Sequence, residues 1–210
     1  MLAKSCNRPE RTPYRAILSV SDKTEIYNFS KDLIQMGWEV VGTKGTCDFL
    51  KERGLQAKVV DDLLGYSQCL GHRVKTLDLK VLGGLLWNKY NDQHNIDAAR
   101  LGFIHFDLIV SSFYPFDQVK QDSSYSDEEI IEYIDVGGPT MLRSAAKNFN
   151  SVIPIVEKED YMPVVNALKS TNGNPNGISS DFRKKLAFKA FRSLHEYDSS
   201  IVSYFEHQIR

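Results

Sequence analysis

Apolar residues in this chain fall into short runs that alternate with longer amphipathic stretches. RAILSV, residues 15–20, is brief, apolar and bounded by polar residues, which predicts a buried strand. After SDKT, the stretch EIYNFSKDLIQMG puts Ile26, Phe29, Leu33 and Ile34 on one helical face and stops at Gly37. WEVVGT, from Trp38, predicts a second strand, CDFLKERG a second helix closing at Gly54, and QAKVVDD a third strand. Residues 62–86 hold many glycines and read as loops. DLIVSSF, from Asp107, predicts a fourth strand, and SVIPIV, from Ser151, a fifth. Pro154 cannot donate to a ladder, which places that fifth strand at an edge. SDEEIIEYI carries Ser126 with Glu129 three residues on, a capping signal. Another helix opens at or near Pro139. EDYMPVVNALKS and residues 180–207 predict the closing helices, with STNGNPNG between them as a linker.

Strands alternating with helices predict an α/β fold with a doubly wound, mainly parallel, five-stranded sheet. Residues 1–14 read as a loose leader. Residues 15–210 read as one domain, with a helical extension over about 176–207. In such sheets ligands bind beyond the carboxyl ends of the strands, so the loops there are the ones to inspect.

Composition narrows the partners. The chain has 210 residues, a formal net charge of -1 and 13 glycines. No basic excess points to nucleic acid, and the cations Arg183, Lys184, Lys185, Lys189 and Arg192 read as a solvated helix face. No apolar run approaches the roughly 20 residues that span a bilayer, and MLAKSCNRPERTPYR lacks the apolar core of a signal peptide. Cys6, Cys47 and Cys69 are odd in number and match no metal spacing. None of the five histidines has a zinc-like partner four residues on. The expectation is a cytoplasmic protein with free thiols and neither a metal nor an organic cofactor, acting on neither nucleic acid nor membrane.

The strand-end loops carry the chemistry. After the first strand come Ser19, Ser21, Lys23 and Thr24, where a helix begins. Free N–H groups and the helix dipole there favour a phosphate; a simple N-cap by Ser21 or Asp22 is the plainer reading. GTKGT, with Thr43, Gly45 and Thr46, repeats the arrangement after the second strand. HRVKTLDLK gathers Arg73, Lys75, Thr76 and Lys80, and SSFYPF presents Ser112 and Tyr114. Asp135, Gly137 and Gly138 lead into the helix that carries Arg143 and Lys147 four residues apart, two like charges on one face. That pair reads either as a solvated face or as part of an anion site. Taken together, the loops predict a phosphorylated small molecule as ligand.

The ordered motifs SVSDKT, GTKGT, RVKTL, the glycine pair Gly83–Gly84, YPF, IDVGGPTMLRSAAKN and LAFKAF with YD further on resemble the IMP cyclohydrolase domain of the bifunctional AICAR transformylase/IMP cyclohydrolase family of purine biosynthesis. The resemblance runs from about Arg15 to Phe205. It implies a methylglyoxal-synthase-like fold and a cyclohydrolase that closes the ring of formylated aminoimidazole carboxamide ribonucleotide (FAICAR) to IMP, with loss of water and no cofactor. By similarity Lys75, Tyr114, Asp135 and Lys147 form the catalytic set, with Lys147 facing the reacting centre. Ser19, Ser21, Lys23, Thr43, Gly45 and Thr46 would hold phosphate and ribose, Arg73 and Thr76 would close the pocket, and Ser112, Gly137 and Gly138 would line it. It also implies a homodimer and a nucleotide substrate; the family continues into a transformylase domain where this sequence stops at Arg210, so either the chain stands alone, with formyl transfer by a separate transformylase, or it is part of a longer protein. The chain departs from the family pattern at Lys44 (a glycine there), Asp78 and Leu79 (histidine and proline), Leu82 and Ser193 (histidines) and Ser112 (an asparagine). Those departures leave open a related ring closure or dehydration on another phosphorylated nucleotide, or a non-catalytic nucleotide-binding module.

Overall fold

The computed structural model describes residues 12–66, 70, 74–114 and 116–209. The expected leader falls, through residue 11, outside the described residues, and so does Arg73. The chain runs β1 (Arg15–Ser19), α1 (Ile26–Gln35), β2 (Glu39–Gly42), α2 (Lys44–Lys51), β3 (Lys58–Val59) and α3 (Val60–Leu64). It continues through α4 (Leu79–Leu86), α5 (Asp92–Leu101), β4 (Leu108–Ser111), α6 (Phe116–Val119) and α7 (Asp127–Glu132). It closes with α8 (Gly137–Lys147), β5 (Ile153–Ile155), α9 (Tyr161–Lys169) and α10 (Ser180–Gln208).

The five strands form one sheet in the order β3-β2-β1-β4-β5, with every neighbouring pair parallel. The period of two along each strand sorts side chains to two faces. Ala16, Leu18 and Val110 meet Phe29 and Leu33 of α1 and Val164 and Leu168 of α9 in one core. Ile17, Val41 and Ile109 meet Leu85 of α4, Met141 and Ala145 of α8, and Ala190 and Leu194 of α10 in the other. A third cluster joins Phe116 of α6 and Ile130 of α7 to Tyr197 and Tyr204 of α10.

Pro154 sits in β5 at the sheet edge, as its missing donor requires. Ser126 and Glu129 close the expected capping box on α7. One expectation needs correction. Residues 62–86 are not all loop, because they include the end of α3 and the whole of α4. The glycines that read as breakers serve packing: a Cβ on Gly84 would lie 1.6 Å from the Ile104 carbonyl oxygen. Leu186, Ala187, Ala190 and Leu194 of α10 are all buried in the domain.

The close approach at Gly84 makes a direct test. Gly84→Ala should destabilise the fold by about 1–3 kcal/mol through overpacking. That lowers Tm by about 2–4 °C per kcal/mol in a thermal melt of a chain this size.

Candidate active site

In the sheet order the chain moves outward from β1 through β2 to β3, then returns to the other side of β1 for β4 and β5. Neighbouring loops after β1 and β4 therefore leave in opposite directions, and a crevice opens between them at the carboxyl ends. That crevice is a cleft of about 1500 Å³. The cleft is lined by the loops after β1, β2 and β4, by the segment ahead of α4, and by the turn into α8.

Serine side chains stitch its floor. The Ser21 N–H donates to Ser112 Oγ at 2.9 Å, and Ser21 Oγ donates to the Phe113 carbonyl at 2.7 Å. The helix after this loop starts only at Ile26, so neither Ser21 nor Asp22 caps it; the Asp22 carboxylate instead accepts from the Thr24 N–H at 2.8 Å. The plain N-cap reading of Ser21 thus fails. Beside it, buried Thr46 accepts from the Val20 N–H and meets Thr43 Oγ1 at 3.2 Å, tying the first two loops together. Lys44 opens α2, whose first N–H groups have no intrahelical acceptor, and its ammonium pairs with Asp48 at 2.7 Å.

The opposite wall is the turn Asp135–Gly138. The Gly138 N–H donates to Asp135 Oδ1 at 2.9 Å. A Cβ on Gly138 would lie 2.7 Å from Asp135 Oδ2, and one on Gly137 would lie 2.9 Å from Thr76 Oγ1, so both glycines are needed for this approach. Burial pushes the Asp135 carboxyl up, against the lowering effect of the Gly138 and Gly137 N–H groups and the Lys75 ammonium. The Lys75 side chain is exposed to the cleft, and Thr76 beside it is buried. Tyr114 is half exposed and rests on Tyr133, with ring centroids 5.2 Å apart.

Of the residues expected from sequence, Ser19, Ser21, Lys23, Thr43, Gly45, Thr46, Lys75, Thr76, Ser112, Tyr114, Asp135, Gly137 and Gly138 line this one cleft. Lys147 does not. It is the exposed last residue of α8, whose first residues line the cleft. Ten residues of helix put it about 15 Å further along the axis. Its spacing from Arg143 gave the shared face but could not say which end of the helix meets the ligand. Arg143 is also accounted for by structure, because it pairs with Asp198 of α10 at 3.0 Å. Two departures also have structural roles. Asp78 caps α4 by accepting from the Lys80 N–H and is bonded by the Tyr66 hydroxyl, while Leu82 packs against the core. Tyr133 and Gln118 line the cleft without having been expected to, and no local pattern marks them. Among the described residues no group of three His, Cys, Asp or Glu side chains could hold a metal ion, and no helix is long and apolar enough to cross a membrane.

Residues 25–140 match the profile of the MGS-like domain, and residues 145–210 match that of the AICARFT/IMPCHase bienzyme. The chain is similar to the bifunctional purine biosynthesis protein PurH of Leuconostoc mesenteroides, with 41% identity over 190 residues, covering 90% of this chain and 36% of that protein. The PurH protein of Enterococcus faecalis is 39% identical over 195 residues, covering 93% and 37%. The chain thus spans little more than a third of the length of these curated relatives. Among solved structures, one titled "Crystal structure of ForH" superposes with a TM-score of 0.82 at 36% identity, covering 92% of this chain and 99% of that one.

The buried carboxyl has a stability consequence. Its folded-state pKa is raised above the ordinary 3.8, so the ionised form at neutral pH weighs against folding. Asp135→Asn should therefore raise Tm at pH 7 by a few degrees. The gain should shrink as pH falls through the raised value and vanish below the ordinary one, which melts across pH 3–8 would show.

Proposed function

The chain belongs to the MGS-like domain family, in the group that includes the PurH proteins, and from that membership and the chemistry of the cleft we propose that it is an IMP cyclohydrolase acting on FAICAR. The observation that carries the reading is the pairing, in one cleft, of a desolvated carboxylate beside an ammonium with hydroxyl-rich strand ends opposite.

The chemistry asks for such a site. The carboxamide nitrogen of FAICAR attacks its own formyl carbon and gives up one proton, the formamido nitrogen gives up a second as a ring C=N bond forms, and the former formyl oxygen departs with both as water. An amide nitrogen is a poor nucleophile, so its proton must be taken as the bond forms. Asp135, with a carboxyl pushed above its ordinary range, is a stronger base than a solvated aspartate and would accept it. Negative charge gathers on the formyl oxygen, where the Lys75 ammonium would stabilise it. Tyr114, on the wall beside Ser112, would hold the carboxamide and relay a proton. Nucleophile and electrophile lie on one molecule, so holding it still supplies much of the rate. Ser19, Ser21, Lys23, Thr43, Gly45 and Thr46 would hold phosphate and ribose through hydroxyls, an ammonium and backbone N–H groups. Thr76 closes the pocket beside Gly137 in this reading, and Lys147 is left out of the machinery.

A second reading rests on Lys44. Its ammonium adds a cation to the loop expected to take the phosphate, which suits a related but more highly charged phosphorylated substrate. Cytoplasmic placement and a homodimer accompany the first reading as proposals.

Incubation with FAICAR, followed by ultraviolet absorbance and chromatography, tests the assignment. The wild type should form IMP. Lys75→Ala and Asp135→Ala should each lose about 10²-fold or more in kcat, the range expected for oxyanion donors and general bases. IMP formation unchanged in both variants would overturn the site, and turnover of another phosphorylated imidazole but not of FAICAR would favour the second reading.

A further inference from the structure

The buried face of α10 reaches the wall of the cleft opposite the phosphate loops. The Tyr197 phenol oxygen accepts the backbone N–H of Asp135 at 2.7 Å, across 62 residues of sequence. The side chain is buried, and its ring lies 5.0 Å from that of Phe113 and 6.4 Å from that of Phe116. Phe113 lines the cleft next to Tyr114, and Asp135 lines it on the other side. One side chain thus fixes both the segment that presents Tyr114 and the backbone of the carboxylate. Neighbouring contacts hold α10 in register for this. Asp198 pairs with Arg143 of α8 at 3.0 Å, and Ser200 donates to Asp117 of α6.

We propose that Tyr197 is a positioning residue for the base, holding the Asp135 turn against the cleft wall so that its carboxylate stays desolvated. The Asp135 N–H precedes α8 and has no helical acceptor, so the phenol oxygen is what keeps it in place. The same turn carries Gly137 and Gly138, whose N–H groups act on the carboxylate. Without the phenol oxygen the turn is free to swing toward solvent, and desolvation, the largest cause of the raised Asp135 pKa, is relieved. Lys75 is the charged group that acts on Asp135, while Asp135 and Asp198 act on Tyr197. Burial pushes the Tyr197 phenol up to about 12, so it stays neutral through the working range and cannot itself account for a limb of the pH profile there.

This inference rests on the cyclohydrolase reading for its kinetic consequence but not for its structural one. Tyr197→Phe keeps the ring and removes only the oxygen; Tyr204→Phe is the matched control, since it loses its bond to Asp127 in the same aromatic cluster away from the cleft. The Asp135 carboxyl carbon, labelled with ¹³C and assigned with Asp135→Asn, is titrated by NMR in all three proteins. The expected result is a downward shift of its midpoint in Tyr197→Phe and none in Tyr204→Phe. In turnover, Tyr197→Phe should lower kcat about tenfold with KM little changed and carry the acid limb downward with the titration. An unchanged Asp135 midpoint in Tyr197→Phe overturns the proposal. If the wild type forms no IMP, the cyclohydrolase reading fails while the titration still decides the role of Tyr197. Should Tyr197→Phe not fold, amide exchange in the wild type decides it. The Asp135 N–H should be protected relative to that of Val136, and equal exchange would overturn the proposal.

Discussion

The reversal of chain direction across β1 is the constraint on which the rest depends. A parallel sheet must be wound by crossovers, and here the winding proceeds outward on one side of β1 and then on the other. Only between β1 and β4 do adjacent loops diverge, and so only there does the sheet leave a crevice whose floor is made of strand-end backbone. The residues after these two strands answer that geometry: Ser21 and Ser112 bridge the gap, and Thr46 joins from β2. Small hydroxyl side chains satisfy the exposed backbone while leaving room above it for a ligand.

The opposite wall solves a different problem. A carboxylate that is to act as a base must be taken out of water, which costs stability, yet it must remain held and aimed. The two glycines let the backbone close around Asp135, and their N–H groups offset part of the desolvation. The Lys75 ammonium beside the turn offsets a further part, and the desolvation still outweighs them all. Hydroxyls on one side and a desolvated acid on the other make the cleft asymmetric, and the asymmetry suits a ligand with a phosphate at one end and a reacting amide at the other.

Much of this was legible in sequence because it is local. β1, α1, β2 and β4 each carry their own hydrophobic period, the Ser126–Glu129 box is a four-residue device, and Pro154 marks its own edge. The glycine-bearing α4 was not legible, because Gly83 and Gly84 act through contacts with Phe103 and Ile104 some twenty residues away. α5, with mostly polar residues and Ala98 its one buried side chain, offers no clear stripe. In the site, the clustering of thirteen expected residues follows from the strand-end rule, whereas Lys147, placed in the catalytic set by resemblance alone, ends α8 outside the residues that line the cleft. Tyr197 escapes any local reading, since its bond to Asp135 exists only after α10 has packed.

The central claim is that the cleft between β1 and β4 recognises a phosphorylated nucleotide by its phosphate. Calorimetric titration of the protein with IMP and, separately, with inosine tests it, with backbone NMR reporting the site. The account predicts that IMP binds at least about a hundredfold more tightly, a difference of about 2.7 kcal/mol, and perturbs the amides of Ser21, Gly45 and Gly138. Equal affinity for the two, or perturbations confined to residues away from this cleft, would contradict it.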